Sequence, residues 1–504
     1  MLALFDLHPF YFFKDIFVPL SEKIYNSTGH NFTCIESGLT TPLRADIEIV
    51  SRNEKKSSFL VWCHLRLLWK QNLEDFIHPL LPLSSEEDRS CILNLYNNHP
   101  VVKFEYDDIQ IICKNLARWD FQNSSIGSLF DHIEKVSRFW SAYYIYFGIK
   151  IIFGHICHSG EDLIGQITAK YLGLTFYSFN TSCTDGLFIL DNQSGKNTEL
   201  TDLIKVGSAF RSHHNYIKSK TLKPSTGMRN AYSKERTDFS LRHNKMAQFA
   251  TYKLLLQRNE NRAALHLSLL LQEYIKNSLP LSTICTEDDH LYVLFLQMQP
   301  EATTVPCALE YNQQINLIRH IRTLIPENAK LLVKEHFAQF YVYHEIPHTN
   351  DIDYRILQDN RPLNFYSEIN NLPNTYLLDL HTSSNALLGK RTTLFTSVGT
   401  CGIEFFLSGS KVHQFKSWSP YCQFLEEYGD KDLTTAERSD LLTSYFDKYS
   451  FEISQFIGSE SSHINRQLFS TQFYEECMPQ ERIMVTNGLS DLISQLVCKS
   501  GISN

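Results

Sequence analysis

Polar residues gathered behind apolar runs mark where this chain could do chemistry. Gln299, Pro300 and Glu301 follow the run Leu291 to Leu296, and Lys334, Glu335 and His336 follow Leu331 to Val333. Unbroken apolar runs that turn polar at one end are what buried parallel strands look like where they reach a ligand crevice. A lysine there can neutralise a phosphate and a histidine can donate a hydrogen bond to one. Glu301 could hold a sugar hydroxyl or act as a base, or with Pro300 cap the helix that follows. Pro300 fixes the backbone beside both Gln299 and Glu301, so the two side chains can be aimed at one place. A third group is the turn Gly399, Thr400, Cys401 and Gly402, with Glu404 one helical turn in. Its glycines permit close backbone approach, Thr400 offers a hydroxyl, and a helix N-terminus presents free N–H groups to an anion. The same pattern also suits a tight strand-to-helix connection with a capping threonine.

In the N-terminal half, Asp185 lies in the turn-rich stretch Asn180 to Gly195, after a strand, where loops carry function. It is the better candidate there for a general base or nucleophile. Glu161 and Asp162 stand at a helix start, a place where acids are favoured electrostatically whatever else they do. His155 and His158 lack a third ligand at a recognisable spacing, so no zinc site is expected. His213 and His214 fall in a basic polar run that reads as solvated surface.

The elements that must position these groups follow from apolar spacing. Strands are expected near Leu2 to Phe5, over 149–156, at 174–179, at 291–296, at 331–333, at 375–379, at 392–397 and at 411–415. Helices are expected over 10–25, 161–171 with Gly173 as the stop, 246–279, and around Leu317, Ile321, Leu324 and Ile325, closed by Pro326. The segments SSFLVWCHLRLLWK and DRSCILNLYNN also read as helices, EEDRS as a connection, and SSNALLGK as a helix between two strands. The greasy stretch 139–156 reads as a helix running into a strand, because Gly148 and Lys150 interrupt it. No transmembrane segment is expected.

At 504 residues, two domains are the default. We place an N-terminal Rossmann-like domain with helical insertions at 1–280, a second at 281–430, and helices packing back across both at 431–504. A content of 43% hydrophobic and 20% charged residues excludes a disordered chain. A formal net charge of -8 gives no general attraction to nucleic acid, so any anionic ligand must be held by a local site. The twelve cysteines contain no CxxC pair, which argues against a zinc ribbon or disulfide framework and for a reducing cytoplasm.

Taken together, QPEATT, then KEH after a helix and a strand, then GTCGIE, resemble the bacterial capsule polysaccharide synthesis proteins, a family that includes β-Kdo transferases. The match is densest over 290–420, where FYSEINNLPNTYLLD and GTCGIEFFLSGSKVHQF fall in the family's order, and looser through HSGEDLIGQITAKYLGL. Phe337 stands where the family usually has proline, and Lys416 where glycine is common, which marks a divergent branch. The resemblance implies a GT-B fold, two Rossmann-like domains facing a cleft, with the nucleotide-sugar donor held mainly by the C-terminal one. It places Gln299 and Glu301 along the cleft, Lys334 and His336 near the donor phosphate, and Gly399, Thr400, Gly402 and Glu404 around phosphate and ribose. A carboxylate from the N-terminal half, Asp185 or Glu161, would face the anomeric carbon. The implied activity is transfer of a sugar, such as a CMP-activated ulosonic acid, to a glycan or lipid-linked acceptor, with no metal and no cofactor. The setting would be cytoplasmic, at the periphery of the inner membrane or the capsule export machinery. A non-catalytic GT-B relative and a nucleotide-sugar epimerase are the alternatives.

Overall fold

The computed structural model describes residues 2–6, 18–30, 32–36, 60–62, 86–117, 125–155, 160–181, 186–191, 195–200, 217–218, 259–299, 307–340, 358–380, 382–389, 391–452, 454–457 and 479–501. The chain divides into two compact units. The first comprises Met1–Ile112, Ser124–His214 and Ser444–Asn504, the second Cys113–Asn123 and Asn215–Thr443.

The first unit opens with β1 (Leu2–Asp6), α1 (Val18–Thr28) and β2 (Phe32–Glu36), a parallel β-α-β succession. A third parallel strand, β3 (Leu60–Trp62), pairs with β2 inside the segment expected to be helical. Three apolar residues carry no period, so the same letters fit a buried strand or a helix face. Then come α2 (Glu86–Asn98), α3 (Tyr106–Ala117), of which the residues from Cys113 on count with the second unit, and α4 (Ile126–Tyr146). The first of these begins within EEDRS, where a connection was expected, because acidic residues are favoured in a first helical turn.

β4 (Ile151–His155), α5 (Gly160–Tyr171) and β5 (Thr175–Thr181) form the expected β-α-β unit. Gly173, at φ 70°, takes the left-handed stop, and Leu174 N–H reaches back to Ala169 O at 2.9 Å. The stretch after β5 is not all loop: β6 (Gly186–Asp191) returns antiparallel to β5, and β7 (Lys196–Asn197) pairs with β6. The turn residues that flank GLFILD mask this short strand in the sequence.

The second unit begins with α6 (Asn259–Asn277), which runs directly into an edge strand, β8 (Ser278–Leu279). The earlier part of the expected helix, 246–258, lies outside the described residues. β9 (Leu291–Phe295), α7 (Gln314–Leu324), β10 (Leu331–Lys334), α8 (Phe365–Asn370) and β11 (Thr375–Leu378) follow. SSNALLGK is a 3-10 turn at Ser384–Leu387, too short between its flanking strands for a helix. β12 (Thr392–Thr396), α9 (Cys401–Leu407), β13 (Lys411–Gln414), α10 (Cys422–Tyr428) and α11 (Thr435–Tyr449) complete it.

All six strands are parallel, in the order β13-β12-β9-β10-β11-β8. Leu331, Leu332 and Val333 are fully buried, as a strand covered on both faces requires. On one face α6, α7 and α8 contribute Leu270, Tyr274, Ile318, Ile321, Tyr366 and Ile369 to a single core with the strands. Each such aliphatic side chain removed from water stabilises the fold by about 1.5–3 kcal/mol. On the other face Phe295 packs edge-on against Phe405 of α9. Arg438 of α11, buried, donates to Phe406 O and Ser410 O at 2.9 Å each, which ties the end of α9 and the turn after it to α11.

From α11 the chain returns to the first unit. There β14 (Ser450–Glu452) adds antiparallel to β6, and α12 (Pro479–Lys499) packs on α1 through a Ser27 to Ser494 hydrogen bond of 2.7 Å. The first sheet thus reads β14-β6-β5-β4-β1-β2-β3, parallel from β5 to β3. No helix among the described residues is long and apolar enough to cross a membrane.

Candidate functional site

In the second unit the chain runs from β9 outward through β10 to β11, and from β12 the opposite way to β13. Right-handed crossovers then put α7 and α9 on opposite faces, and the turn of direction falls between β9 and β12. These two strands are paired from Thr392↔Leu291 to Phe395↔Leu294, so both end at the same edge. The segments that leave them are Gln297 to Gln299 and Ser397 to Thr400. The segment that leads into the first motif, up to Gln299, and the Gly399 turn therefore meet at the place where a doubly wound sheet opens a crevice.

Their approach is close. A β-carbon on Gly399 would lie 2.9 Å from Gln297 Nε2, 2.9 Å from Cys401 Sγ and 3.2 Å from Thr396 Oγ1. Gly399 N–H donates to Thr396 Oγ1 at 3.3 Å. Gly402 is small for a different reason, since a β-carbon there would lie 2.8 Å from Leu425 of α10. Of the N–H groups expected to be free in this turn, those of Gly402 and Ile403 donate to Gly399 O and Thr400 O. Thr400 is exposed and its side chain does not cap α9. Glu404 is half-buried in the first turn. Burial, and then the Glu404 carboxylate, push the Cys401 thiol up to about 12, so it stays protonated and is not a nucleophile at neutral pH.

Behind this edge lies a buried polar network that sequence reading did not reveal. Arg361 and Glu335 form an ion pair with side chains 1% and 0% exposed, Nε to Oε2 at 3.0 Å. Arg361 also donates to Gln299 Oε1, to Gln314 Oε1 at 3.1 Å and to Gln297 O at 3.2 Å. Glu335 accepts from Tyr366 Oη at 2.7 Å and from the His336 N–H at 2.8 Å. The Gln339 carboxamide pairs with the Gln299 backbone, accepting from its N–H and donating to its carbonyl at 2.8 Å each. Gln299 is thus internal, 1% exposed, its amide given to Asn312 O at 2.6 Å.

The ends of β9 and β10 are therefore fixed to each other. Lys334, half-buried, reaches the carbonyls of Asp379 and Leu380 at 3.2 and 3.1 Å, which ties the end of β10 to that of β11. His336 is half-buried beside it. Glu301 lies outside the described residues.

In the first unit Glu161 is buried in the opening turn of α5, its carboxylate 3.4 Å from Nε2 of the fully buried His132. Its carbonyl accepts from Trp140 Nε1 at 3.0 Å. Asp185 lies outside the described residues, as do His158, His213 and His214. Among the described residues no three His, Cys, Asp or Glu side chains gather as a metal site would need.

No protein-family model and no curated protein matches the chain. Among solved structures, UDP-GlcNAc 2-epimerase from Methanocaldococcus jannaschii aligns with 89% of this chain and 92% of its own, at 7% identity and a TM-score of 0.21. The N-terminal domain of Candida albicans trehalose-6-phosphate phosphatase aligns with 99% of this chain and 95% of its own, at 10% identity and a TM-score of 0.22. Superpositions that loose carry no argument about function, and what stands is a mixed α/β chain with parallel sheets of Rossmann-like character.

Proposed function

We propose that the chain is a GT-B glycosyltransferase of bacterial surface polysaccharide synthesis, and that its second unit holds a nucleotide-sugar donor at the β9/β12 edge. One observation carries the reading: Gly399 meets Gln297 where the winding of the sheet reverses. Open parallel sheets bind ligands at such points, outside the carboxyl ends of the strands. Gly399 and Thr400, in the turn that leaves β12 at this edge, are among the residues that the capsule-synthesis resemblance assigns to the donor. A CMP-activated ulosonic acid such as Kdo is the first donor to try, with a glycan or lipid-linked primer as acceptor.

The test is incubation of the full chain with CMP- and UDP-sugars, with and without acceptor oligosaccharide, while release of CMP or UDP is measured. Release that depends on acceptor is the expected result. Interconversion of donors without acceptor would identify an epimerase, and binding without turnover a carrier or assembly factor. Failure to bind any nucleotide or nucleotide sugar in calorimetry would remove the reading altogether.

A further inference from the structure

We propose that Gln297 reads the nucleoside of the ligand at the β9/β12 edge, and that residue 399 is glycine so that the Gln297 carboxamide can stand there. The inference rests on the donor reading above and names the group that makes the contact. Gln297 is clamped through its backbone: its N–H donates to Gln314 Oε1 at 3.0 Å, and its carbonyl accepts from Gln314 Nε2 at 2.8 Å and from Arg361 at 3.2 Å. Gln314 and Arg361 are themselves buried, so the clamp is rigid. The carboxamide takes no part in it. Half-buried, it has no hydrogen-bond partner among the described residues.

A carboxamide offers a donor and an acceptor side by side without charge. It matches a group that does the same, the edge of a nucleobase or the diol of a ribose. A phosphate, which only accepts and carries charge, suits it poorly. Lys334, at the end of β10, is engaged with two carbonyls of the β11 end. What β9 presents at the switch point is thus a neutral reader held at fixed height.

Gly399 supplies the space. A β-carbon there would come within 2.9 Å of Gln297 Nε2 and of Cys401 Sγ, both outer atoms of side chains that can swing aside. Alanine at 399 therefore displaces the carboxamide rather than the backbone, and Gly399→Ala should imitate removal of the carboxamide.

The experiment is calorimetric titration of the full chain with UDP, CMP and their 2′-deoxy forms. We expect Gln297→Ala and Gly399→Ala each to weaken binding by about three- to tenfold, the worth of one neutral hydrogen bond. The double variant should be no weaker than Gln297→Ala, and melting temperatures should be unchanged. Gln297→Glu, which keeps the shape and loses the amide donor, should also weaken binding. An effect of Gln297→Ala that vanishes with a 2′-deoxy nucleotide assigns the contact to ribose, and one that persists assigns it to the base. Normal binding by Gln297→Ala overturns this assignment and leaves the donor reading intact. Additive losses in the double variant overturn the part played by Gly399. A wild-type chain that binds neither nucleotide overturns the assignment together with the donor reading.

Discussion

Arg361→Met should destabilise the second unit by about 3–5 kcal/mol, because it leaves the Glu335 carboxylate buried without its counter-charge. The guanidinium meets that carboxylate side-on with two donors of one edge, Nε to Oε2 at 3.0 Å and Nη2 to Oε1 at 3.5 Å, and neither side chain has water to fall back on. Its remaining donors reach Gln299 Oε1, Gln314 Oε1 and the carbonyl of Gln297, and while the last two keep a bond to each other's residue, Gln299 Oε1 loses its arginine in the same step. Glu335→Leu should cost a similar amount through the stranded arginine. The double variant Arg361→Met/Glu335→Leu removes both charges and should be less destabilised than the sum of the singles by about 2 kcal/mol. Urea denaturation of the four proteins measures this coupling. Additive losses would mean that the pair is not a unit. Arg361→Lys should recover little, since an ammonium cannot reproduce a planar fork that touches both strand ends.

This network shows where sequence reading reaches its limit. The strands that carry it were plain, because Leu291–Phe295 and Leu331–Val333 are unbroken apolar runs that belong in a sheet buried on both faces. The polar residues at their ends were equally plain, but their partners were not. Glu335 stood between two residues with an obvious phosphate chemistry, and nothing local marks it as the partner of Arg361, which arrives from a different part of the chain. Gln299 was read as lining a crevice for the same reason, whereas its side chain is spent on Arg361 and Asn312. Gln297, two residues earlier, carries the carboxamide that is not spent. A continued pleat would put residues 297 and 299 on one face, but both lie beyond the last residue of β9, so which of them turns inward is decided by the partners packed beneath, a three-dimensional fact.

Short elements escaped for a related reason. Leu60–Trp62 and Gly186–Asp191 are strands only because β2 and β5 offer them an edge. Such runs take their conformation from a partner more than from their own pattern.

The second large effect is expected at Gly429→Ala, at the far edge of the same sheet. A β-carbon on Gly429 would lie 2.2 Å from Val412 O and 2.4 Å from Leu425 O, both backbone atoms that cannot rotate aside. Gly429 accepts a 2.7 Å bond from Val412 N–H and donates a 2.9 Å bond to Leu425 O, which seats the end of α10 directly on β13. Its φ of -61° is open to any residue, so the constraint is space and not conformation. Alanine must push α10 from the strand and break the Val412 bond. Overpacking commonly costs 1–3 kcal/mol, and against backbone the cost should reach about 3 kcal/mol, a fall of roughly 10 °C in melting temperature for a unit of this size. The strain should also travel inward. β13 holds the end of β12 through Phe415 N–H to Thr396 O at 2.8 Å and Ser417 Oγ to Ser397 O, so a displaced β13 shifts the turn that brings Gly399 to Gln297. Thermal unfolding and nucleotide titration of Gly429→Ala should therefore fail together, whereas Gly399→Ala loses binding alone. A Gly429→Ala chain that melts like the wild type would show that α10 does not rest on β13 as described.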